Sequence, residues 1–158
     1  MDHDIPLLKI EKLSLYQNMI RVLHDTDYMV VKTLFFLTFH ISEESYFKEA
    51  WRNRTVDRSF GLWKDGCLIG LAIVYDTKLE YICIDPSQQG SGWGSFLLRH
   101  VLSVCPTLYL NPADDPILCR WYERHGFTLS NEEECSSSTH RCYVRHGYPT
   151  RSKTARKN

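Results

Sequence analysis

Residues 80–95 read EYICIDPSQQGSGWGS, in which a β-prone run is followed by a turn that contains three glycines. Residues 91–104 then carry apolar side chains at helical spacing, so the turn joins a strand to an amphipathic helix. Such a turn directs several backbone N–H groups and a helix N-terminus at one point in space, which attracts phosphate. Glycine lets a pyrophosphate approach the backbone amides closely. Glycines alone are equally typical of an ordinary strand-to-helix turn.

Two common nucleotide-binding motifs do not match this turn. A Walker loop requires a lysine directly after its glycines, and this segment has none. A Rossmann fingerprint requires a third glycine where Ser95 stands, and it follows the first strand of a βαβ unit. Here the turn follows residues 85–87 and a series of β-prone runs. Neither motif explains the turn.

The β-prone runs before the turn predict three consecutive antiparallel strands. Residues 59–63 and 67–75 flank Asp65-Gly66, and an Asp-Gly pair supplies the positive φ angles of a tight hairpin turn. A second break at residues 76–78 precedes a further run at residues 79–84. We therefore expect a meander that leads directly into the glycine turn.

The chain after residue 105 predicts a strand, a helix and two further strands. Residues 107–110 are β-prone, and Asp115 before Pro116 marks a helix start, because an aspartate caps the helix and proline suits its first position. Gly126 suits the left-handed residue that ends this helix after His125. Residues 127–129 and 139–145 are predicted to pair as the last two strands.

The first half of the chain is harder to interpret. Residues 7–15 alternate imperfectly between apolar and polar types, which predicts a first strand, and residues 15–23 show helical spacing. Residues 29–39 form a short apolar run that fits either a buried helix or a strand. Ser42 followed by acidic residues predicts a helix over residues 43–53, because these groups stabilise a helix start.

Two segments together resemble the GNAT superfamily of N-acetyltransferases. Gln89, Gly92 and Gly94 match its Gln/Arg-x-x-Gly-x-Gly/Ala signature, and residues 80–86 resemble its fourth strand. Residues 121–127, Trp-Tyr-Glu-Arg-His-Gly-Phe, resemble its helix that bears a tyrosine and closes in Gly-Phe. The resemblance implies an α/β fold with a mixed, mostly antiparallel sheet, which is splayed between strands four and five and flanked by helices.

The same resemblance implies acetyl-coenzyme A as co-substrate. Backbone groups of Ile82, Cys83 and Ile84 would bind the pantetheine arm as an extra strand. The residues that would hold the pyrophosphate are Gln89, Gly90, Ser91, Gly92, Trp93, Gly94 and Ser95. Relatives often carry an asparagine seven residues before the helical tyrosine, where this chain has Asp115. Either Asn111 contacts the cofactor instead, or that contact is absent.

An amine that attacks a thioester requires a base, a polarised carbonyl and a proton for the departing thiolate. By resemblance Tyr122 would supply that proton, and a phenol of ordinary pKa about 10 suits the task. Glu80 would be the base, and strand alternation places its side chain on the face of Ile82 and Ile84. The alternatives are that Tyr122 only packs in the core and that Glu80 is a solvated strand carboxylate.

Composition limits the remaining possibilities. Lys+Arg and Asp+Glu both total 19, so no global field draws the chain to nucleic acid or to an anionic membrane. The apolar run at residues 28–41 is too short to span a bilayer. Six cysteines without a C-x-x-C pair predict reduced thiols in a cytoplasmic protein, and the histidines show no metal-ligand spacing.

Length predicts one acetyltransferase domain over residues 1–149 and a basic, disordered tail at residues 150–158. The first hypothesis is direct transfer of an acetyl group to a primary amine, in a monomer or homodimer. The alternative is a non-catalytic acyl-coenzyme A binding or interaction module, because fold does not determine function. A nucleic-acid role for the basic tail is a third and weaker hypothesis. The acceptor is left open.

Overall fold

A computed structural model describes residues 19–39, 44–130 and 141–147 of the 158-residue chain. These residues form one seven-stranded sheet with the order β1-β2-β3-β4-β5-β7-β6. Its strands are β1 (Ile20–Val22), β2 (Phe60–Lys64), β3 (Cys67–Tyr75), β4 (Lys78–Ile84), β5 (Leu108–Leu110), β6 (Thr128–Ser130) and β7 (Cys142–Arg145). Neighbouring strands are antiparallel except for β4 and β5, which are parallel.

The four α-helices of the described residues pack on the two faces of this sheet. They are α1 (Tyr28–Phe39), α2 (Glu44–Asn53), α3 (Trp93–Val104) and α4 (Pro116–Arg124). Buried side chains of α1 and α2 cluster with Leu71 and Ile73 of β3. Those of α3 and α4 cluster with Ala72 and Val74, the alternate residues of the same strand. The central strand β3 is therefore buried on both faces.

The predicted meander and the predicted helix start are confirmed. Asp65 and Gly66 adopt φ angles of 51° and 76° between β2 and β3. Asp115 caps α4, because its Oδ1 accepts a hydrogen bond from the Ile117 N–H at 2.9 Å. Gly126 ends the helix with a φ of 88°. Local chemistry was sufficient to predict each of these features.

The sheet opens between β4 and β5, as the resemblance implied. The two strands share the single register pair Lys78↔Tyr109, and the Tyr109 N–H donates to the Thr77 carbonyl at 2.9 Å. On the other edge of β4, Ile73 pairs with Tyr81 and Val74 pairs with Leu79. Glu80 is thus left without a partner on β3 and forms a β-bulge. Beyond this bulge β4 diverges from β5 and leaves a gap.

The prediction of a helix over residues 15–23 is wrong at its C-terminal end. Ile20–Val22 is an edge strand that pairs antiparallel with β2, through Ile20↔Leu62 and Val22↔Phe60. The Arg21 guanidinium lies 3.7 Å from the Trp63 ring centroid and holds this edge in place. Tertiary pairing therefore overrides the local helical spacing. The predicted first strand at residues 7–15 lies outside the described residues.

The ambiguous run at residues 29–39 lies within helix α1. The predicted second helix is confirmed from Glu44 onward, while its proposed cap, Ser42, lies outside the described residues. The final strand begins at Cys142, and residues 139–140 also lie outside them. None of the described helices is long and apolar enough to cross a membrane.

The cysteines differ in part from the prediction of reduced thiols. Cys67, Cys83, Cys105 and Cys119 are free. Cys142, at the start of β7, is disulfide-bonded, and its partner lies outside the described residues. The expectation is therefore wrong for Cys142, because cysteine spacing along the chain does not report which thiols meet in space.

Candidate active site

The gap between β4 and β5 continues into a cavity of about 900 Å³. Its walls come from β4, the glycine turn, the end of β5 and one side of α4. The residues that line it are Phe39, Leu79, Glu80, Tyr81, Ile82, Ile84, Gln88, Gln89, Gly90, Gly92, Gly94, Ser95, Leu110, Asn111, Pro112, Ala113, Leu118, Trp121 and Tyr122. Of the predicted site residues, only Cys83, Ser91 and Trp93 are absent from this lining.

The glycine turn presents backbone N–H groups to the cavity. Gly90 and Gly92 both adopt a φ of 84°, and a Cβ at either position would meet no atom within 4 Å. The first hydrogen bond of α3 runs from the Phe96 N–H to the Gly92 carbonyl at 3.0 Å. The N–H groups of residues 93–95 therefore have no acceptor within their helix. This end of the helix carries partial positive charge and suits an anion.

Gln89 anchors the turn to the end of β4. Its Nε2 donates a hydrogen bond to the Ile84 carbonyl at 3.0 Å. Asp85 accepts hydrogen bonds from the Ser87 N–H at 2.9 Å and from the Ser87 hydroxyl at 2.7 Å. The signature glutamine thus shapes the turn, and the Ile84 carbonyl already accepts one hydrogen bond inside the protein.

Gly94 of α3 lies beside Trp121 of α4. A Cβ at Gly94 would lie 3.4 Å from Cζ2 of Trp121 and 3.7 Å from Cγ1 of Ile84. The Trp121 indole N–H also donates to the Ser95 hydroxyl at 3.3 Å. Trp121 and Leu118 were missed by the sequence reasoning. Leu118 lies three residues before Trp121 and four before Tyr122, so the helical periodicity linked Leu118 to both.

Tyr122 is buried at the base of the cavity, with 6% of its surface exposed. Its ring packs edge-on against Trp121 and Phe127, at centroid distances of 4.9 and 5.5 Å. Burial, with a smaller contribution from the neighbouring Cys119, raises the pKa of the phenol well above its usual range. Within the described part of the chain, no group hydrogen-bonds this phenol. It stays protonated at neutral pH and is placed to donate.

Glu80 lines the cavity together with Ile82 and Ile84. Alternation predicted that Glu80 shares a face with Ile82 and Ile84. The bulge at Glu80 breaks the alternation, and Leu79 packs in the same core cluster as Ile84. The Glu80 carboxylate lies 3.5 Å from Lys78 Nζ, with 28% of its side chain exposed. It also lines a second, smaller cavity.

Asn111 and Asp115 lie in different environments. Asn111 lines the cavity, and its Nδ2 donates to the Arg141 carbonyl at 3.0 Å, which joins the end of β5 to the residue before β7. Asp115 is occupied as the cap of α4. Of the two, Asn111 alone lies at the cavity.

Three predicted site residues have side chains elsewhere. The Cys83 thiol is buried on the opposite face of the sheet among the residues of α1 and α2, and this burial raises its pKa to about 12. The Trp93 ring packs against Phe96 at a centroid distance of 5.8 Å. The Ser91 side chain is exposed to solvent. Any role of these residues at the cavity would rest on their backbone groups.

Lys64 is a charged residue near the glycine turn that the sequence reasoning missed. Its Nζ lies 3.4 Å from Oε1 of Gln88 and 5.7 Å from the Trp93 ring centroid. It is the last residue of β2, 24 positions before Gln88, and only the sheet brings the two together. No local pattern identifies such a residue. Among the described residues, no group of His, Cys, Asp or Glu side chains could hold a metal ion.

Comparison with a protein-family model gives a match over most of the chain. The model described as "Acetyltransferase (GNAT) family" matches residues 26–127, which include β4, the glycine turn and α4. No curated protein matches the chain. The matched segment contains every element that lines the large cavity.

Solved structures share the fold at low sequence identity. Naa50 from Arabidopsis thaliana, in complex with the bisubstrate analogue CoA-Ac-MVNAL, is 18% identical with a TM-score of 0.62, and the match covers 79% of this chain and 94% of that one. N-acetylglutamate synthase from Neisseria gonorrhoeae, complexed with coenzyme A and L-arginine, is 20% identical with a TM-score of 0.62, over 82% of this chain and 33% of that one. The PaiA N-acetyltransferase from Thermoplasma acidophilum, in complex with coenzyme A, is 16% identical with a TM-score of 0.58, over 82% and 98%.

Proposed function

Because the chain belongs to the Acetyltransferase (GNAT) family, it is an acetyltransferase that uses acetyl-coenzyme A, and we propose that it transfers the acetyl group directly to a primary amine. One observation carries this proposal. A single cavity is lined by the glycine turn, by the Tyr122 ring and by the Glu80 carboxylate. A phosphate cradle, a proton donor and a proton acceptor therefore border the same space.

In this proposal the cofactor lies along the gap beside β4. The backbone N–H groups of residues 90–95 hold the pyrophosphate, supported by the positive end of α3. Backbone groups of Ile82 and Cys83 pair with the pantetheine arm, because among the described strands β4 pairs on that side only with β5, and only at Lys78. Ile84 contributes less than the sequence suggested, since its carbonyl already accepts a hydrogen bond from Gln89. Asn111 borders the arm from the end of β5.

The reaction begins with removal of a proton from the acceptor, since a primary ammonium group of pKa about 10 arrives protonated at neutral pH. Glu80 accepts that proton, directly or through a water molecule. The neutral amine then attacks the thioester carbonyl carbon and forms the new C–N bond. The tetrahedral intermediate loses a second proton from its nitrogen to water and collapses with cleavage of the C–S bond, which yields an amide and the coenzyme A thiolate.

Tyr122 donates a proton to the departing thiolate. Burial raises the pKa of the phenol, which keeps it protonated until negative charge develops on the sulfur. A thiolate that forms in the same buried site is equally destabilised, so its proton affinity rises too. Because both pKa values rise together, the difference in pKa between donor and acceptor stays close to its value in water. The resulting phenolate regains its proton as product leaves.

The test is the rate of thiol release when purified protein is supplied with acetyl-coenzyme A and a panel of primary amines. Tyr122→Phe is expected to lower kcat about 100-fold or more, the range for loss of a general acid, with little change in cofactor affinity. Tyr109→Phe is the matched control, because Tyr109 does not line the cavity. Unchanged turnover in Tyr122→Phe would remove this residue from the mechanism. Cofactor binding without transfer to any amine would overturn the proposed function.

A further inference from the structure

A second cavity, of about 300 Å³, lies on the other side of β4 from the glycine turn. It is bordered by one face of α2, the end of β3 and the bulged part of β4. The residues that line it are Tyr46, Glu49, Ala50, Asn53, Tyr75, Glu80 and Tyr81. Its volume is at the lower end of the range of about 300–1,000 Å³ that holds small ligands.

The two cavities meet at Glu80 and Tyr81, which line both. The Tyr81 ring is held by Phe35 and Phe39 of α1, at centroid distances of 4.8 and 5.3 Å. The Tyr81 ring therefore has a fixed position beside Glu80, where the two spaces meet. A molecule in the second cavity would approach Glu80 from the side opposite to the cofactor.

The second cavity is negatively charged. Burial raises the pKa of Tyr81, and the negative charges of Glu80 and Glu49 raise it further, so both carboxylates act on one phenol. Glu80 is partly neutralised by Lys78, at 3.5 Å. Within the described residues Glu49 makes no ion pair. Carboxylates beside tyrosine rings suit a cationic group.

The basic side chains of α2 do not cancel this charge. Lys48 lies 3.8 Å from Glu44, and neither residue borders the cavity. Arg52 follows Glu49 by three residues and is also absent from the lining. The carboxylate of Glu49 is therefore available to a ligand, in addition to that of Glu80, which the proposed reaction requires.

We propose that this cavity holds the acceptor and selects a primary amine that carries a second positive charge, as in an α,ω-diamine. The inference rests on the proposed function, since it assigns Glu80 to the reacting amine. One amine loses its proton to Glu80 and becomes acetylated. The other stays protonated beside Glu49 and the Tyr46 and Tyr75 rings, where it orients the acceptor.

The test compares 1,4-diaminobutane with butylamine, which has the same carbon chain and one charge. Wild-type protein is expected to acetylate the diamine with kcat/KM at least tenfold higher. Glu49→Gln is expected to lower the ratio of the two kcat/KM values about five- to tenfold. Asp57→Asn, which removes an exposed charge that lines neither cavity, is the control and should leave the ratio unchanged. Equal kcat/KM values in wild-type protein, or an unchanged ratio in Glu49→Gln, would overturn the inference.

Calorimetric titration of 1,4-diaminobutane into the protein with bound coenzyme A separates this inference from the proposed function. Binding of the diamine that weakens in Glu49→Gln supports the acceptor site even if no acetylation occurs, and only the proposed reaction then fails. Acetylation of butylamine without preference for the diamine supports the reaction and overturns the acceptor inference. A neutral peptide that is acetylated faster than the diamine would overturn it as well.

Discussion

Replacement of Gly92 by leucine tests the phosphate cradle most directly. Gly92 caps α3 with a φ of 84°, a conformation that costs a non-glycine residue roughly 1–2 kcal/mol. Its Cβ would meet no protein atom, so a leucine side chain would extend into the cavity without a clash. The expected loss of folding stability is therefore limited to the backbone strain, roughly 1–2 kcal/mol.

The expected loss of cofactor affinity is much larger. A side chain in the cradle would keep the pyrophosphate from at least two backbone N–H groups, and each hydrogen bond to a charged group contributes about 1.5–3 kcal/mol. The sum, about 3–6 kcal/mol, corresponds to a rise in Kd of about 10²- to 10⁴-fold for acetyl-coenzyme A. Calorimetry measures that affinity, and urea denaturation measures the stability of the same samples.

Gly66 supplies the matched control. It has a φ of 76° in the hairpin between β2 and β3, and its Cβ would also meet nothing within 4 Å, but it does not line the cavity. Gly66→Leu should lose similar stability and keep its cofactor affinity. If Gly92→Leu binds acetyl-coenzyme A within threefold of wild-type protein, the turn is not the pyrophosphate site.

Three further outcomes are expected. Glu80→Gln should lower kcat/KM at neutral pH and recover towards wild type as the pH approaches about 10, where the amine is neutral without a base; a constant deficit across pH would argue against Glu80 as base. Lys64→Met should raise the Kd of acetyl-coenzyme A about three- to tenfold at low salt and less at high salt, and an effect independent of salt would exclude an electrostatic role. The pKa of the Asp27 carboxyl is lowered, chiefly by hydrogen bonds from the Arg21 guanidinium. The ionised Asp27 carboxyl therefore stabilises the fold fully above about pH 4, and this stabilisation is lost as the pH falls through the lowered pKa. In a plot of the free energy of unfolding against pH, Asp27→Asn should show a smaller decrease at acid pH.

Features with a local cause could be predicted from the sequence. The glycine turn, the Asp-Gly hairpin and the start of α4 each depend on the conformational preferences of a few adjacent residues. The motif around Gly92 and the segment that ends in Gly126-Phe127 also indicated the family correctly. Each is a short run of neighbouring residues, and the two occur in the expected order along the chain. The predicted cofactor residues needed no knowledge of distant contacts, apart from the choice of Asn111.

Only the tertiary structure decided the features that depend on pairing between distant residues. Ile20–Val22 is a strand because β2 offers it an edge, although its own spacing indicated a helix. The bulge at Glu80 arises from the register of β4 on β3, and simple alternation along the strand did not predict it. Lys64 reaches the glycine turn across the sheet, and Glu49 meets Glu80 across a cavity between α2 and β4. The residues of the proposed cofactor site therefore follow from local sequence. The proposed acceptor site is built from segments far apart in the chain, and no local pattern shows that these segments meet.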